Sequence, residues 1–363
     1  MRTRELPDFP WDELAAHAAT ARSHPDGIVD LSMGTPVDPV PEVIQAALAS
    51  VADVPGYPAT HGTPALREAV VAAMARRFGV TGIDAGGVLP TIGSKELIAW
   101  LPTLLGIGPG DVVVIPALGY PTYEVGVRLA GADAVRADGL TALGPRRPAL
   151  VWVNSPANPT GQVLPDAHLR KVVDWARERD AIVASDECYL TLGWESEPVS
   201  VLHRSVSGGR ADGLLAVHSL SKSSSLAGYR AGFVTGDPDL VRQLLQVRKH
   251  AGMIVPRPVQ AAMTAALTDD DHIRAQRDRY QARRAVLRPA LVAAGFTIDH
   301  SEAGLYLWAT RSEPADTTVA WLANRGILAA PGTFYGPTGG RHVRFALTAT
   351  DERVVAAAQR LAA

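Results

Sequence analysis

The 363 residues contain a single cysteine, Cys188. No disulfide can close within the chain and no cysteine cluster can hold a metal, which suits a reducing interior. Neither sign of charge is in excess: 35 Lys and Arg face 37 Asp and Glu, a formal net charge of −2. Basic residues come in pairs such as Arg76-Arg77, Arg146-Arg147 and Arg283-Arg284, never in tracts. Nothing therefore draws the chain to nucleic acid or to an anionic membrane. No apolar run reaches membrane-spanning length, and MRTRELPDFPWDEL has no apolar centre of signal-peptide length. A cytoplasmic protein is expected. No two histidines have metal-ligand spacing such as HExxH, so no metal site is expected. Internal repeats and low-complexity linkers are also missing.

What is present is apolar substance, 47% of the residues, enough to fill globular cores. The length suggests one large unit and a smaller one. Short apolar runs read as buried strands: VVVIP (112–116), ALVWVN (149–154), AIVAS (181–185), LLAVHS (214–219) and GFVTG (232–236). Helical stretches lie among them: ELIAWLPTLL (96–105), DAHLRKVVDWARER (166–179) and PDLVRQLLQVRKH (238–250). Such alternation argues for an α/β fold with a mostly parallel sheet covered on both faces. From about residue 257 the pattern changes. An arginine-rich helical region leads to short strands around LYLWAT (305–310) and HVRFAL (342–347), and DERVVAAAQRLA closes the chain as a helix.

Functional groups of such sheets gather at the carboxyl ends of the strands. There NSPANPTG follows ALVWVN, DECY follows AIVAS, and SLSK follows LLAVH. Asn158, Asp186, Tyr189 and Lys222 should converge on one edge. In SLSKSSSLAGYRAG (219–232) a lysine stands among serines, with Arg230 after it. A buried or cation-flanked lysine loses its proton readily and can form a Schiff base with an aldehyde. The hydroxyls and Arg230 suit a phosphate dianion. TIGSKELIAW (91–100) leads Gly93, Ser94 and Lys95 into a helix N-terminus, either a plain helix start or a second anion site. GIGPGD (106–111) precedes a strand and reads as a turn. Asp186 could cap a helix or hold a cation. The sharper reading is a carboxylate that keeps a pyridine nitrogen protonated, as pyridoxal phosphate chemistry requires. Tyr189 and Asn158 suit the ring's oxyanion. NPTG is read as a turn that also presents the amide.

These segments resemble the class I/II aminotransferases, the fold-type I group that depends on pyridoxal 5′-phosphate. The resemblance rests on SLSKSSSLAGYRAG together with LSMGTPVDPVP, YPATHGTPALR, TIGSKE, PALGYPTYEVG, NSPANPTG, SDECY and HVRFAL, in order and across nearly the whole chain. It implies that Lys222 holds the cofactor as a Schiff base and shuttles the proton between substrate Cα and cofactor C4′. It implies that Asp186 pairs with the ring nitrogen, that Asn158 and Tyr189 bond the ring oxygen, and that Tyr120 stacks on the ring. Ser219, Ser221, Arg230 and the turn Gly93-Ser94-Lys95 would hold the phosphate, with Tyr57 reaching the phosphate of a neighbouring subunit in a homodimer with shared sites. Arg344 would clamp the substrate α-carboxylate, with Asn158 and the backbone near Gly34 beside it. The family's fold is a mostly parallel seven-stranded sheet with helices on both faces, plus a smaller α+β domain from both chain ends. The corresponding expectation is a large domain over 45–256 and a small one over 1–44 and 257–363.

Within the family the wording is most similar to actinobacterial succinyldiaminopimelate aminotransferases. That subgroup implies amino exchange with glutamate and 2-oxoglutarate in lysine and diaminopimelate biosynthesis. Substrates with a distant carboxylate ask for a second cation besides Arg344. Lys249, His250, Arg257, Arg2 and Arg4 are the candidates, with no choice among them. His61, His218 and His342 lie near the site segments, and core or surface roles are expected for them. The same motifs serve aspartate- and aromatic-type aminotransferases and C–S lyases. A transcriptional sensor on this fold carries a DNA-binding module ahead of it, for which the 30 residues before LSMGTP are expected to leave no room.

Overall fold

A computed structural model of the chain describes residues 6–362. The central sheet has seven strands, in the spatial order Val88–Ile92, Ala231–Gly236, Leu214–Ser219, Ile182–Asp186, Leu150–Asn154, Val112–Ile115, Asp133–Arg136. Ala231–Gly236 alone is antiparallel to both of its neighbours; every other adjacent pair is parallel. Five strands were legible as apolar runs. Val88–Ile92 and Asp133–Arg136 were not. The first carries Pro90 and Thr91, and the second is an edge strand with two exposed residues, so neither shows the apolar run that marks a buried strand.

Helices cover both faces. One face buries Leu97, Ile98, Leu101 and Val127 with Leu244 and Leu245 against Trp152 and Leu215. The other buries Leu66, Val70 and Met74 with Val172 and Val173 against Val151 and Val183. The helix Arg257–Thr268, expected at the head of the small domain, belongs to this second core. Val259, Ala262, Met263 and Ala266 pack there, beside Leu66 and Ala73 of the helix Pro64–Phe78. The sequence changes character at 257, but the packing changes later: Asp269-Asp270 end that helix, and the 23-residue helix Asp271–Ala293 sends Tyr280, Leu287 and Leu291 into a different core.

That core joins both ends of the chain. Val29–Asp30 pairs parallel with Ile327–Leu328. A four-stranded antiparallel sheet holds Ala330–Pro331, Val343–Ala346, Tyr306–Thr310 and Thr297–Asp299 in that order. GIGPGD forms a turn ahead of Val112, as its composition demands. No helix among the described residues is long and apolar enough to cross a membrane.

Candidate active site

Register brings the polar strand ends together. Asn154 lies opposite Asp186 and Asp186 opposite Val217, so two adjacent parallel strands end level and the third, Leu214–Ser219, runs two residues further toward the same edge. Arg230 joins them because the antiparallel strand begins where its neighbours finish, with Gly232 opposite Ser219. Val88–Ile92 ends at the same edge, where Gly93 turns the chain into the helix Ser94–Leu104.

A cavity of about 550 Å³ opens there. Its wall includes Lys222, Asp186, Asn158, Tyr189, Tyr120, Ser219, Ser221, Arg230, Ser94, Lys95, Gly34 and Arg344. Gly93 lies behind this wall. Tyr57 does not line the cavity and is fully exposed.

Lys222 is half-buried, and its Nζ donates to Gly34 O. Burial lowers its pKa to about 8; the nearby Arg344 and Arg230 push the same way, against Cys188. Tyr280 Oη donates to Lys222 O at 3.1 Å and fixes the backbone. Asp186 is buried; its Oδ2 accepts from Tyr123 Oη at 2.7 Å and its Oδ1 from Cys188 N at 3.2 Å. Burial raises its pKa, against those hydrogen bonds. Asn154 Nδ2 donates to Asp186 O at 2.9 Å, and Asn154 Oδ1 accepts from Asn158 N at 2.7 Å, which ties the NSPANPTG turn to the neighbouring strand.

The side expected to hold a phosphate is built from close backbone approaches. Gly93 sits at φ +76°, ψ 160°, a conformation glycine adopts freely. A Cβ on it would lie 2.7 Å from Arg230 Cζ. A Cβ on Gly232 would lie 3.0 Å from Ser94 N. Gly93 supplies no side-chain cap, so the first amides of the helix face the cavity unmet. Ser219 Oγ accepts from Ser221 N at 3.1 Å. Of the other serines, Ser224 bonds His272 at 2.9 Å and Ser223 lines a small void behind the site.

Arg344 is the third buried arginine among the described residues, and it differs from the other two. Arg248 pairs with Glu96 at 2.8 Å and Arg283 with Asp38 and, at 2.7 Å, Asp351. Arg344 pairs with no carboxylate among the described residues. It donates to Asn158 Oδ1 at 2.8 Å and Ser32 O at 2.7 Å, and its Nε–H has no partner among the described residues. A buried guanidinium with spare donors is a ready carboxylate site.

Several expectations end elsewhere. Lys249, His250 and Arg257 do not line the cavity, and Arg2 and Arg4 lie outside the described residues. His218 is sandwiched between Phe78 and Phe233, at 5.9 and 4.8 Å, and burial pulls its pKa down to about 3. His342 bonds Asp299 at 2.7 Å and stacks on Trp308 at 4.9 Å. His61 stays away from the cavity, its pKa lowered by burial. Two site residues had no sequence signal. Tyr123 looks like an apolar residue of the helix Thr122–Ala130, and Tyr306 like one of a strand buried on both faces. Cys188 also lines the cavity, its thiol pushed well up by burial.

The fold and this edge define an enzyme class, and comparison with known proteins agrees. The sequence model of the class I and II aminotransferases matches residues 26–361. The chain is 68% identical to a probable aminotransferase of Mycobacterium tuberculosis, over 98% of this chain and 85% of that one. It is 58% identical to the 4-dedimethylamino-4-oxo-anhydrotetracycline transaminase OxyQ of Streptomyces rimosus, over 99% of both chains. A probable N-succinyldiaminopimelate aminotransferase of Thermus thermophilus superposes with a TM-score of 0.88 at 28% identity, covering 98% of this chain and 99% of that one. The chain belongs to the class I and II aminotransferases. It is a pyridoxal-phosphate-dependent aminotransferase of fold type I. The residues present fit that cofactor: an amine at Lys222, a buried acid at Asp186, and a cradle of unmet helix amides with Arg230 that a Cβ at Gly93 would fill.

Proposed function

We propose that the enzyme is an N-succinyldiaminopimelate:2-oxoglutarate aminotransferase of lysine and diaminopimelate biosynthesis, acting in the cytoplasm as a homodimer. When bound, pyridoxal phosphate supplies an aldehyde that takes up the amino group and a protonated ring that draws electrons from the substrate Cα–H bond. Asp186 holds the ring proton; the cost of burying its charge falls once a cation sits beside it. Tyr123 keeps the acid oriented. Asn158 and Tyr189 take the ring oxygen, and Tyr120 covers the ring face. Ser219, Ser221, Arg230 and the amides after Gly93 hold the phosphate. The Lys222 amine would carry the proton between the substrate Cα and the cofactor C4′. An amine with a pKa near 8 is deprotonated often enough at neutral pH for that task. Arg344 receives the α-carboxylate beside Asn158 and Gly34. Tyr57 is fully exposed, as a side chain serving a neighbouring subunit's phosphate must be in the isolated chain.

The observation that carries the acidic-substrate reading is a second cation without a carboxylate. Lys95 lines the cavity and a neighbouring one of about 760 Å³. Its ammonium lies 5.1 Å over the Phe9 ring and meets no acid among the described residues. Its side chain is exposed to solvent, and partial desolvation, with Arg230 nearby, lowers its pKa. Lys95, expected in the turn that holds the phosphate, would in this reading offer its ammonium to a distal carboxylate.

A second reading also has support. Phe9, Trp11, Met33 and Tyr120 form an apolar wall to the same cavity, which suits an aromatic substrate, and the OxyQ relative acts on a 4-oxo-anhydrotetracycline. A half-reaction screen separates the two. Yellow holoenzyme is mixed with L-glutamate, N-succinyl-LL-diaminopimelate, L-aspartate or L-phenylalanine, and loss of colour is followed. Fast loss with the first two, slowed in Lys95→Ala, supports the acidic reading. Inert succinyldiaminopimelate beside a fast aromatic donor refutes it. A C–S lyase would instead release pyruvate from cystathionine and keep its colour.

A further inference from the structure

We propose that Tyr306 is the positioning residue of the carboxylate clamp, and that its aromatic face is what stabilises the guanidinium of Arg344 in its buried place without a carboxylate partner. The inference rests on the reading of Arg344 as the α-carboxylate site. A buried guanidinium needs compensation for its lost hydration. Arg248 and Arg283 obtain it from carboxylates. An acid in that position beside Arg344 would occupy the very donors a substrate must use. Arg344 meets ring faces instead: its Cζ lies 3.8 Å from the Tyr306 ring centroid and 4.9 Å from that of Tyr335. A ring face attracts the cation through its quadrupole and consumes no N–H donor. Nε–H and one hydrogen on each Nη stay available.

Tyr306 is itself held from three sides. Its hydroxyl is 3.1 Å from Tyr189 Oη, and the two rings meet edge to face at 5.6 Å. Its backbone pairs with Ala346 in the strand that carries Arg344. Its ring lies against Gly34, where a Cβ would come within 3.1 Å of Cε1. Gly34 is also the residue whose carbonyl accepts from Lys222. One side chain therefore spans the clamp, the ring-oxygen tyrosine and the loop over the lysine.

The test uses holoenzyme with L-glutamate and with 4-aminobutyrate, which lacks the α-carboxylate. If glutamate leaves the wild-type colour unchanged, L-alanine and ethylamine replace the pair, since the α-carboxylate is the group under test. Wild type should prefer the amino acid strongly. Arg344→Lys should collapse that preference; if it does not, the clamp reading itself fails. Tyr306→Phe keeps the ring and should leave the preference and KM within about twofold. Tyr306→Leu, and Tyr306→pentafluorophenylalanine, which keeps the shape but reverses the charge of the ring face, should raise KM about tenfold and lower the preference about tenfold, with kcat changed far less. Because the fluorinated ring fills the same space, its result stands even where the leucine variant does not fold. Wild-type preference in the fluorinated variant, with Arg344→Lys collapsed, overturns the role of Tyr306 and leaves the clamp in place. A tenfold loss in Tyr306→Phe overturns it too, by assigning the effect to the hydroxyl.

Discussion

Replacing Gly93 by alanine perturbs two things that can be measured apart. The first is backbone strain. At φ +76°, ψ 160° a residue with a Cβ costs about 1–3 kcal/mol, which falls on the folded protein with or without cofactor and appears as a lower Tm. The second is displacement of Arg230, whose Cζ would lie 2.7 Å from the new methyl carbon. A hydrogen bond to a charged group contributes about 1.5–3 kcal/mol, so moving the guanidinium off the phosphate should weaken pyridoxal phosphate binding about 10- to 150-fold. Fluorescence titration of apoenzyme gives the affinity. Two controls isolate the cause. Gly106 shares the φ of +76° but has no neighbour within 4 Å of a built Cβ, so Gly106→Ala should lower Tm and leave affinity unchanged. Pyridoxal without phosphate should bind Gly93→Ala and wild type alike. A Gly93→Ala enzyme that binds pyridoxal phosphate as tightly as wild type would refute the packing of Gly93 against Arg230 as the phosphate cradle.

Asp186→Ala should keep the fold but lose at least about a hundredfold in turnover, because nothing then holds the ring proton; steady-state kcat within a few-fold of wild type would remove Asp186 from its role. Arg344→Lys should raise KM for the amino donor about tenfold or more, since lysine lacks the two-pronged geometry; initial-rate kinetics with an unchanged KM would contradict the clamp. Glu187 offers a pH test. Burial raises its carboxyl from 4.5 to about 7, against a hydrogen bond from Val201 N. The folded chain therefore holds a proton that the unfolded chain releases between those values. Its contribution is complete below about 4.5 and is lost as pH rises to about 7. Glu187→Gln should gain stability relative to wild type at pH 8 compared with pH 4 in thermal melts, and an equal difference at both values would show that the carboxyl is not shifted.

Much of the chemistry could be read along the chain because it is written in short contiguous stretches. Lys222 with Ser219, Ser221 and Arg230, Asp186 after its strand, and Asn158 in its turn each stand at the end of an apolar run, and strand ends in a parallel sheet share one edge. The residues that were not legible act across the fold. Tyr123 reaches Asp186 from a helix 63 positions away, and Tyr306 reaches Tyr189 from 117 away. Each is a tyrosine in an apolar segment, and nothing local separates it from core packing. Lys95 was legible as part of a helix start, but only packing shows its ammonium over Phe9.

By itself, then, the order of residues determined the element types, the mostly parallel sheet and the polar groups at its strand ends, since periodicity and strand-end polarity are local properties. Tertiary structure alone decided which buried arginine meets no carboxylate among the described residues, which tyrosines lie against Asp186 and Arg344, and that the helix Arg257–Thr268 joins the large core. Those outcomes depend on which surfaces meet, and a buried charge is satisfied or left open only by neighbours that distant parts of the chain bring to it.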